Sequence, residues 1–277
     1  MPQIWRLGAR SEIAFHQCIP GGWQDARRLG ICDGEAPMAK DKLYAVPRPL
    51  VTDFNFGADT ANVFDEMLVR SVPFYIEIQR MIGEIVGDFA VNGTNVYDLG
   101  CSTCASFRML HNLDQDVTFV GLDSSADMLA RARDELRDAK FTRRYELQHR
   151  DLNEEFRIEN ASVVIMNLTL QFVRPLFRER VMKTIFDGIN HQGCLILVEK
   201  VLADESLMNR LFIKYYYDLK RRNGYSDIEI AQKREALENV LVPYRLSENQ
   251  LLLQNAGFRC SEVFFKWYNF SGLLALK

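Results

Sequence analysis

The sequence predicts a doubly wound α/β domain, and three observations predict it. Strand-like apolar runs alternate with helical spacing from residue 94 onward, a glycine follows the first of those strands, and two runs around a short turn close the chain like a terminal hairpin. A length of 277 residues with 48% apolar and 26% charged side chains suits one globular unit and argues against disorder. Lys plus Arg number 34 against 37 for Asp plus Glu, a net charge of -3 that leaves no strongly basic face for nucleic acid. The longest apolar runs, near 161–166 and 194–198, fall far below the roughly 18 residues of a membrane span. The expectation is a soluble chain.

The elements follow in order. Residues 1–37, broken by Gly8, Gly21, Gly22, Gly30 and Gly34 and by Pro2, Pro20 and Pro37, keep no helical or strand period and read as a non-native or disordered extension, with Met38 as the natural start. Residues 38–277 then form a single domain, in which 38–92 make a helical N-terminal cap. Val63, Met67, Leu68 and Val72 share a helical face, Pro73 interrupts, and Ile76, Ile78, Met81, Ile82 and Ile85 resume it. Asn95 to Leu99 reads as a strand ending at Gly100, Ala105 to Leu113 as a short helix, and Val117 to Leu122 as a second strand closing on Asp123. Ser124 and Ser125 are placed to cap the helix Ala126 to Leu136. Tyr145 to His149 is a third strand, and Ser162 to Asn167 a fourth, apolar enough to be buried on both faces. The helix Arg178 to Ile189 and the strand Cys194 to Glu199 follow. A polar helical insertion spans 201–245, then the helix Glu248 to Asn255 ends at Gly257, and Glu262 to Trp267 with Ser271 to Leu276 form the hairpin. Seven strands result.

A glycine just past the first strand lets backbone amides approach a ligand that a Cβ would exclude. The loop Asp98-Leu99-Gly100-Cys101-Ser102-Thr103-Cys104 carries one glycine only, so it is a poor GxGxxG. Asp123 strengthens it, because an acid at the end of the second strand is where this architecture accepts both ribose hydroxyls. Otherwise Asp98 and Asp123 merely cap the loops that follow them. The terminal hairpin favours the S-adenosylmethionine-binding form of the fold over the dehydrogenase form. Asp151, after the third strand, is either an acceptor for the adenine amino group or a loop acid, and Asn167 stands at the mouth of the crevice with an amide suited to amino and carboxylate groups.

Six cysteines in a chain this long make no disulfide framework, and Cys101 with Cys104 lacks the second pair or nearby histidine of a zinc site, so no metal is expected. Reduced thiols point to the cytoplasm. No secretory signal is evident.

The segments RSVPFY at 70–75, VYDLGCS at 96–102, NLTLQF at 167–172, LKRRNGYSDIEIAQKREALENV at 219–240, NAGF at 255–258 and NFSGLLALK at 269–277 resemble the bacterial carboxy-S-adenosyl-L-methionine synthases. These are Rossmann-like proteins of the class I S-adenosylmethionine-dependent methyltransferase superfamily. The resemblance covers about residues 38–277, and it also supports Met38 as the start. It implies that Tyr75 closes over S-adenosyl-L-methionine (or its carboxylated form) and that Gly100, Cys101 and Ser102 line the methionine moiety. Asp123 with Ser124 would hold the ribose, Asp151 with Leu152 the adenine, and Asn167 would stand near the sulfonium. Arg221 would be the catalytic residue, gripping the carboxylate of the product. Where the family usually has a second glycine, this chain has Cys104, which makes the loop bulkier and its approach to the ligand less close.

The implied reaction takes the carboxyl group of prephenate, which aromatises to phenylpyruvate, onto the sulfonium methyl carbon. An arginine about 4 Å from a sulfonium costs roughly 4 kcal/mol at an effective dielectric of 20. Such a residue therefore makes sense only with an anion between the two. Lys220-Arg221-Arg222 reads by composition alone as a solvated helix face, and the RNGYS context is what singles out Arg221. The product would feed a separate transferase that modifies the wobble uridine of tRNA. The resemblance also implies a homodimer, while the charge balance and the short apolar runs argue against direct binding of nucleic acid or membrane. Two other functions remain: direct methylation of the tRNA wobble uridine, disfavoured by the pI near 5.9, and a non-catalytic nucleoside-binding module, suggested by Cys104.

Overall fold

The computed structural model describes residues 40–277. The reading of 1–37 as an extension lies outside them. Strands β1 (Asn95–Leu99), β2 (Thr118–Asp123), β3 (Tyr145–His149), β4 (Ala161–Asn167) and β5 (Ile189–Leu202) pair in parallel, and β7 (Cys260–Trp267) and β8 (Phe270–Leu276) form the hairpin. The order is β3-β2-β1-β4-β5-β8-β7, with β8 antiparallel to both neighbours. The order reverses at β1, and β1 and β4 flank the switch point where open α/β sheets bind ligands. An eighth strand, β6 (Tyr244–Arg245), pairs with the end of β5, so the seven expected strands gain a two-residue partner.

The sheet is buried on both faces, and the two-residue period of β4 shows how. Val163 and Ile165 face one core layer, with Ile78, Ile82 and Phe107; Val164 and Met166 face the other, with Val181, Met182, Ile185 and Leu253. The first layer is covered by α1 (Ala58–Ser71), α2 (Tyr75–Phe89), α3 (Ala105–Met109) and α4 (Ala126–Asp138), the second by α5 (Pro175–Gly188) and α8 (Leu246–Ala256). Between them in sequence, α6 (Ser206–Arg222) and α7 (Asp227–Leu237) form the insertion. α1 and α2 are separated around Pro73, with Phe74 in the left-handed region at φ 53°.

Two expected boundaries move for visible reasons. α3 stops at Met109, because Leu110 and Leu113 reach the core through turns in which Leu113 N donates to Leu110 O. β5 runs to Leu202 because β4, β8 and β6 all pair along it.

α7 is fixed to the N-terminal segment, which sets one wall of the site. Gln232 donates to the carbonyls of Tyr44 and Val46 and accepts from Arg48 N, and Phe54 N donates to Ala236 O. Arg70 binds Glu66 at 3.1 Å, packs its guanidinium 4.0 Å over the Tyr225 ring and donates to Asn223 O. α1, the segment before it and the insertion thus form one wall.

Candidate functional site

A cavity of about 460 Å³ opens at the carboxyl ends of β1 to β5 and is roofed by the start of α2 and by α6 and α7. That volume is in the range of small-molecule sites. Tyr75, Gly100, Cys101, Ser102, Asp123, Ser124, Asp151, Leu152 and Asn167 all line it.

Gly100 follows β1 at φ +76°, and a Cβ there would come within 2.5 Å of the Thr169 side chain. Asp123, the last residue of β2, accepts from Ser102 N at 2.9 Å and Ser125 N at 2.8 Å, so one carboxylate holds the glycine loop and the turn into α4. Burial raises its pKa, and those backbone donors oppose the rise. Ser125, not Ser124, caps α4, accepting from Met128 N. Asp151 Oδ1 accepts from the backbone and side-chain nitrogens of Asn153, which locks the loop after β3 beside buried Leu152. Tyr75 is buried at the N-terminus of α2, with its hydroxyl accepting from Gln79 Nε2 at 2.9 Å.

Asn167 ends β4, and its Oδ1 is buried with no hydrogen-bond partner among the described residues. A buried carbonyl oxygen left unpaired costs about 1–3 kcal/mol, so a ligand donor is the natural partner. Glu199 shapes the loop after Asn167 by accepting from the backbone nitrogens of Thr169, Leu170 and Gln171 at 3.1, 2.8 and 2.8 Å. Burial pushes its carboxyl up to about 8, and burial likewise pushes Asp98, at the base of the cavity, up to about 7. The unpaired amide oxygen, the glycine cradle and the strand-end acids fit S-adenosyl-L-methionine.

Cys104 takes up the left-handed conformation, at φ 59°, that a glycine would adopt freely. Its side chain is fully buried in the core and does not line the cavity. The bulk expected to crowd the ligand points away from it. Contact with the Cys104 thiol, then burial, raises the pKa of Cys101 well above its ordinary value.

Arg221 is the correction. It is absent from the cavity wall; its exposed guanidinium pairs with Asp218 and Asp227, both at 2.8 Å. Helical geometry is the cause. Tyr216 and Lys220, four residues apart, are the buried face of α6, and Arg221 lies about 100° further round. The cations that line the cavity are Arg150, beside the loop after β3, and Lys200, Lys220, Lys233 and Arg234. Arg234 makes no hydrogen bond or ion pair among the described residues. Lys233 was legible in principle, since it shares the buried face of α7 with Ile230 and Ala236. Arg234 carries no such mark.

A methyltransferase-domain family model matches residues 96–193. Solved structures agree on the fold: the S-adenosylmethionine-dependent methyltransferase SibL superposes with TM-score 0.51 at 14% identity, over 78% of this chain and 58% of SibL. A protein of Methanococcus maripaludis superposes with TM-score 0.56 at 16% identity, over 83% of this chain and 97% of that one. Sequence relatives are nearer. The carboxy-S-adenosyl-L-methionine synthase of Methylococcus capsulatus is 54% identical over 245 residues, which is 87% of this chain and all of that protein. That of Desulfotalea psychrophila is 40% identical over 86% of this chain and 97% of its own. The chain belongs to the carboxy-S-adenosyl-L-methionine synthase family.

Proposed function

We propose that the protein converts S-adenosyl-L-methionine and prephenate to carboxy-S-adenosyl-L-methionine and phenylpyruvate, with loss of water. The observation that carries this reading is the unpaired guanidinium of Arg234 on the wall of a cavity that also holds three lysines. A cationic cosubstrate beside cations is repelled unless anions stand between them. S-adenosyl-L-methionine supplies a methyl group whose hydrogens the sulfonium acidifies and whose carbon takes up the carboxyl group.

The residues of this chain bind and orient. Asp123 and Ser124 take the ribose, Asp151 and Leu152 the adenine, and Gly100, Cys101 and Ser102 the methionine backbone. Asn167 offers its free Oδ1 near the sulfonium, and Tyr75 closes the site. Arg234 takes the role first given to Arg221: a planar fork binding the product carboxylate bidentately, which an ammonium does not reproduce.

In the cell the product would serve a separate enzyme that modifies the tRNA wobble uridine, and the chain would act as a cytoplasmic homodimer. Among the described residues no helix is long and apolar enough to cross a membrane. The test is mass spectrometry of the nucleoside formed by purified protein with S-adenosyl-L-methionine and prephenate. A carboxylated nucleoside and phenylpyruvate are expected; a nucleoside unchanged by prephenate overturns the reading. Retention of tRNA on a filter would favour direct tRNA methylation instead.

A further inference from the structure

We propose that Lys200, Lys220 and Lys233 form the seat of the carboxyl donor, a small dicarboxylate with an apolar ring, and that its anionic groups supply the counter-charge these ammoniums lack. The inference rests on the carboxyl-transfer reading above.

Lys200 comes from β5, Lys220 from α6 and Lys233 from α7, and all three line the same cavity. The Lys200 and Lys220 ammoniums lie 4.9 and 4.8 Å from the centre of the Tyr216 ring, and those of Lys220 and Lys233 lie 5.9 and 5.6 Å from that of Tyr225. Lys220 and Lys233 are each only 5% exposed. The side chains of Lys200 and Lys220 have neither a hydrogen bond nor an ion pair among the described residues. Among the described residues Lys233 Nζ has no hydrogen-bond acceptor, and its one carboxylate, Asp41 at 3.6 Å, also accepts from the Tyr225 hydroxyl at 2.7 Å.

The neighbouring acids are committed elsewhere. Glu66 is bound to Arg70, and Glu199 is turned to the backbone of 169–171. Glu238, on the same wall, is exposed and pairs with none of the three. Three desolvated cations thus face one carboxylate. Uncompensated burial of charge is costly, and two further negative charges would remove the excess. Burial holds Lys200 and Lys233 down to about 8, and burial with the other two lysines holds Lys220 well below its ordinary value, as expected of ammoniums awaiting anions. Tyr216, Tyr217 and Phe270 line the same end and offer faces for the donor's ring.

The test uses Lys200→Met and Lys220→Met in the full chain; Lys233 is left alone because its loss would strand Asp41. The readouts are KM for prephenate, KM for S-adenosyl-L-methionine, and melting temperature without ligand. A seat for anions predicts a prephenate KM raised at least about thirtyfold, an S-adenosyl-L-methionine KM within about twofold, and unliganded melting at or above wild type, since a buried unpaired charge has been removed. A prephenate KM within about twofold of wild type overturns the inference. So does a lower melting temperature with both KM values rising together, because that marks merely structural lysines. If the wild type forms no carboxylated nucleoside, the function reading has failed, and calorimetry of prephenate on nucleoside-loaded protein judges the seat separately. Binding lost in Lys220→Met upholds it, and binding absent from wild type or unchanged in the variant overturns it.

Discussion

Ser102 donates its backbone N–H to the Asp123 carboxylate at 2.9 Å, so the acid expected to meet the ribose is also what positions the loop expected to meet the methionine. The two halves of the expected nucleoside site, 21 residues apart in sequence, thus share a single side chain.

Asp123→Ala is therefore expected to weaken S-adenosyl-L-methionine binding twice over, through the lost acceptor and through the released loop. A charge-assisted hydrogen bond is worth about 1.5–3 kcal/mol, so the affinity falls about tenfold or more. Asp123→Asn keeps one acceptor oxygen and should lie between. Calorimetric titration reads both, and unchanged binding in Asp123→Ala removes the residue from the site.

Gly100→Ala tests the loop from the other side. The new Cβ meets Thr169 Cγ2 and Oγ1 at 2.5 Å, and φ +76° already disfavours any residue but glycine. A cost of about 1–3 kcal/mol is expected, seen as an earlier denaturant midpoint. Thr169→Ala in the same chain should recover the steric part but not the backbone part. Equal midpoints for the single and double variants would mean that Thr169 plays no part in the requirement.

Much of this was legible in the sequence because period and punctuation carry it. β1 and β3 have the bounds that their apolar runs suggest, and Asp123, Asp151 and Asn167 stand at strand ends because a doubly wound sheet aims its carboxyl ends at one crevice. The lysine wall was not legible. Lys200, Lys220 and Lys233 lie on three elements: the first two meet at the Tyr216 ring, and Lys233 joins them on α7, which Gln232 and Ala236 tie to the segment before α1. The misplacement of Arg221 has the same origin: a motif gives neighbours in sequence, and only the helix phase separates inward Lys220 from outward Arg221. Cys104 reads as an obstacle in sequence, yet its side chain packs inward.

Protonation leaves opposite signatures on the two walls. Asp98, pushed up to about 7 by burial, binds a proton more tightly when folded. Its stabilising contribution is complete below the ordinary carboxylate range and is lost as pH rises through about 7. Asp98→Asn should thus gain stability relative to wild type as pH climbs from about 4 to about 7. Lys200, held down to about 8 from 10.5, binds its proton less tightly when folded, so its contribution grows as pH rises between those values. Lys200→Met should be relatively more stable at pH 7, with the advantage fading toward pH 10. Urea midpoints across this range read both differences, and a difference constant in pH would mean that burial does not shift the group.

The sharpest contrast is between two arginines 13 residues apart. Arg221 is exposed at the end of α6, held by Asp218 and Asp227, and surface pairs of this kind contribute about 0–1 kcal/mol. Arg221→Ala should leave the binding of both plain and carboxylated S-adenosyl-L-methionine unchanged. Arg234 faces the cavity with no partner among the described residues, so a carboxylate on the ligand is its natural one. Arg234 is exposed as well, so the loss expected is that of a charge-assisted bidentate pair, about 1.5–3 kcal/mol, which is at least about tenfold in affinity for the carboxylated ligand. The plain ligand has no anion at that point, so removing a nearby cation leaves its binding equal or slightly tighter. Arg234→Lys restores the charge but not the fork, and should recover only part of the loss. Paired calorimetric titrations of the three variants with the two ligands decide among the outcomes. Equal weakening of both ligands in Arg234→Ala would make that residue a support of the cavity wall, and selective weakening in Arg221→Ala would return the carboxylate to the arginine that the motif alone suggested.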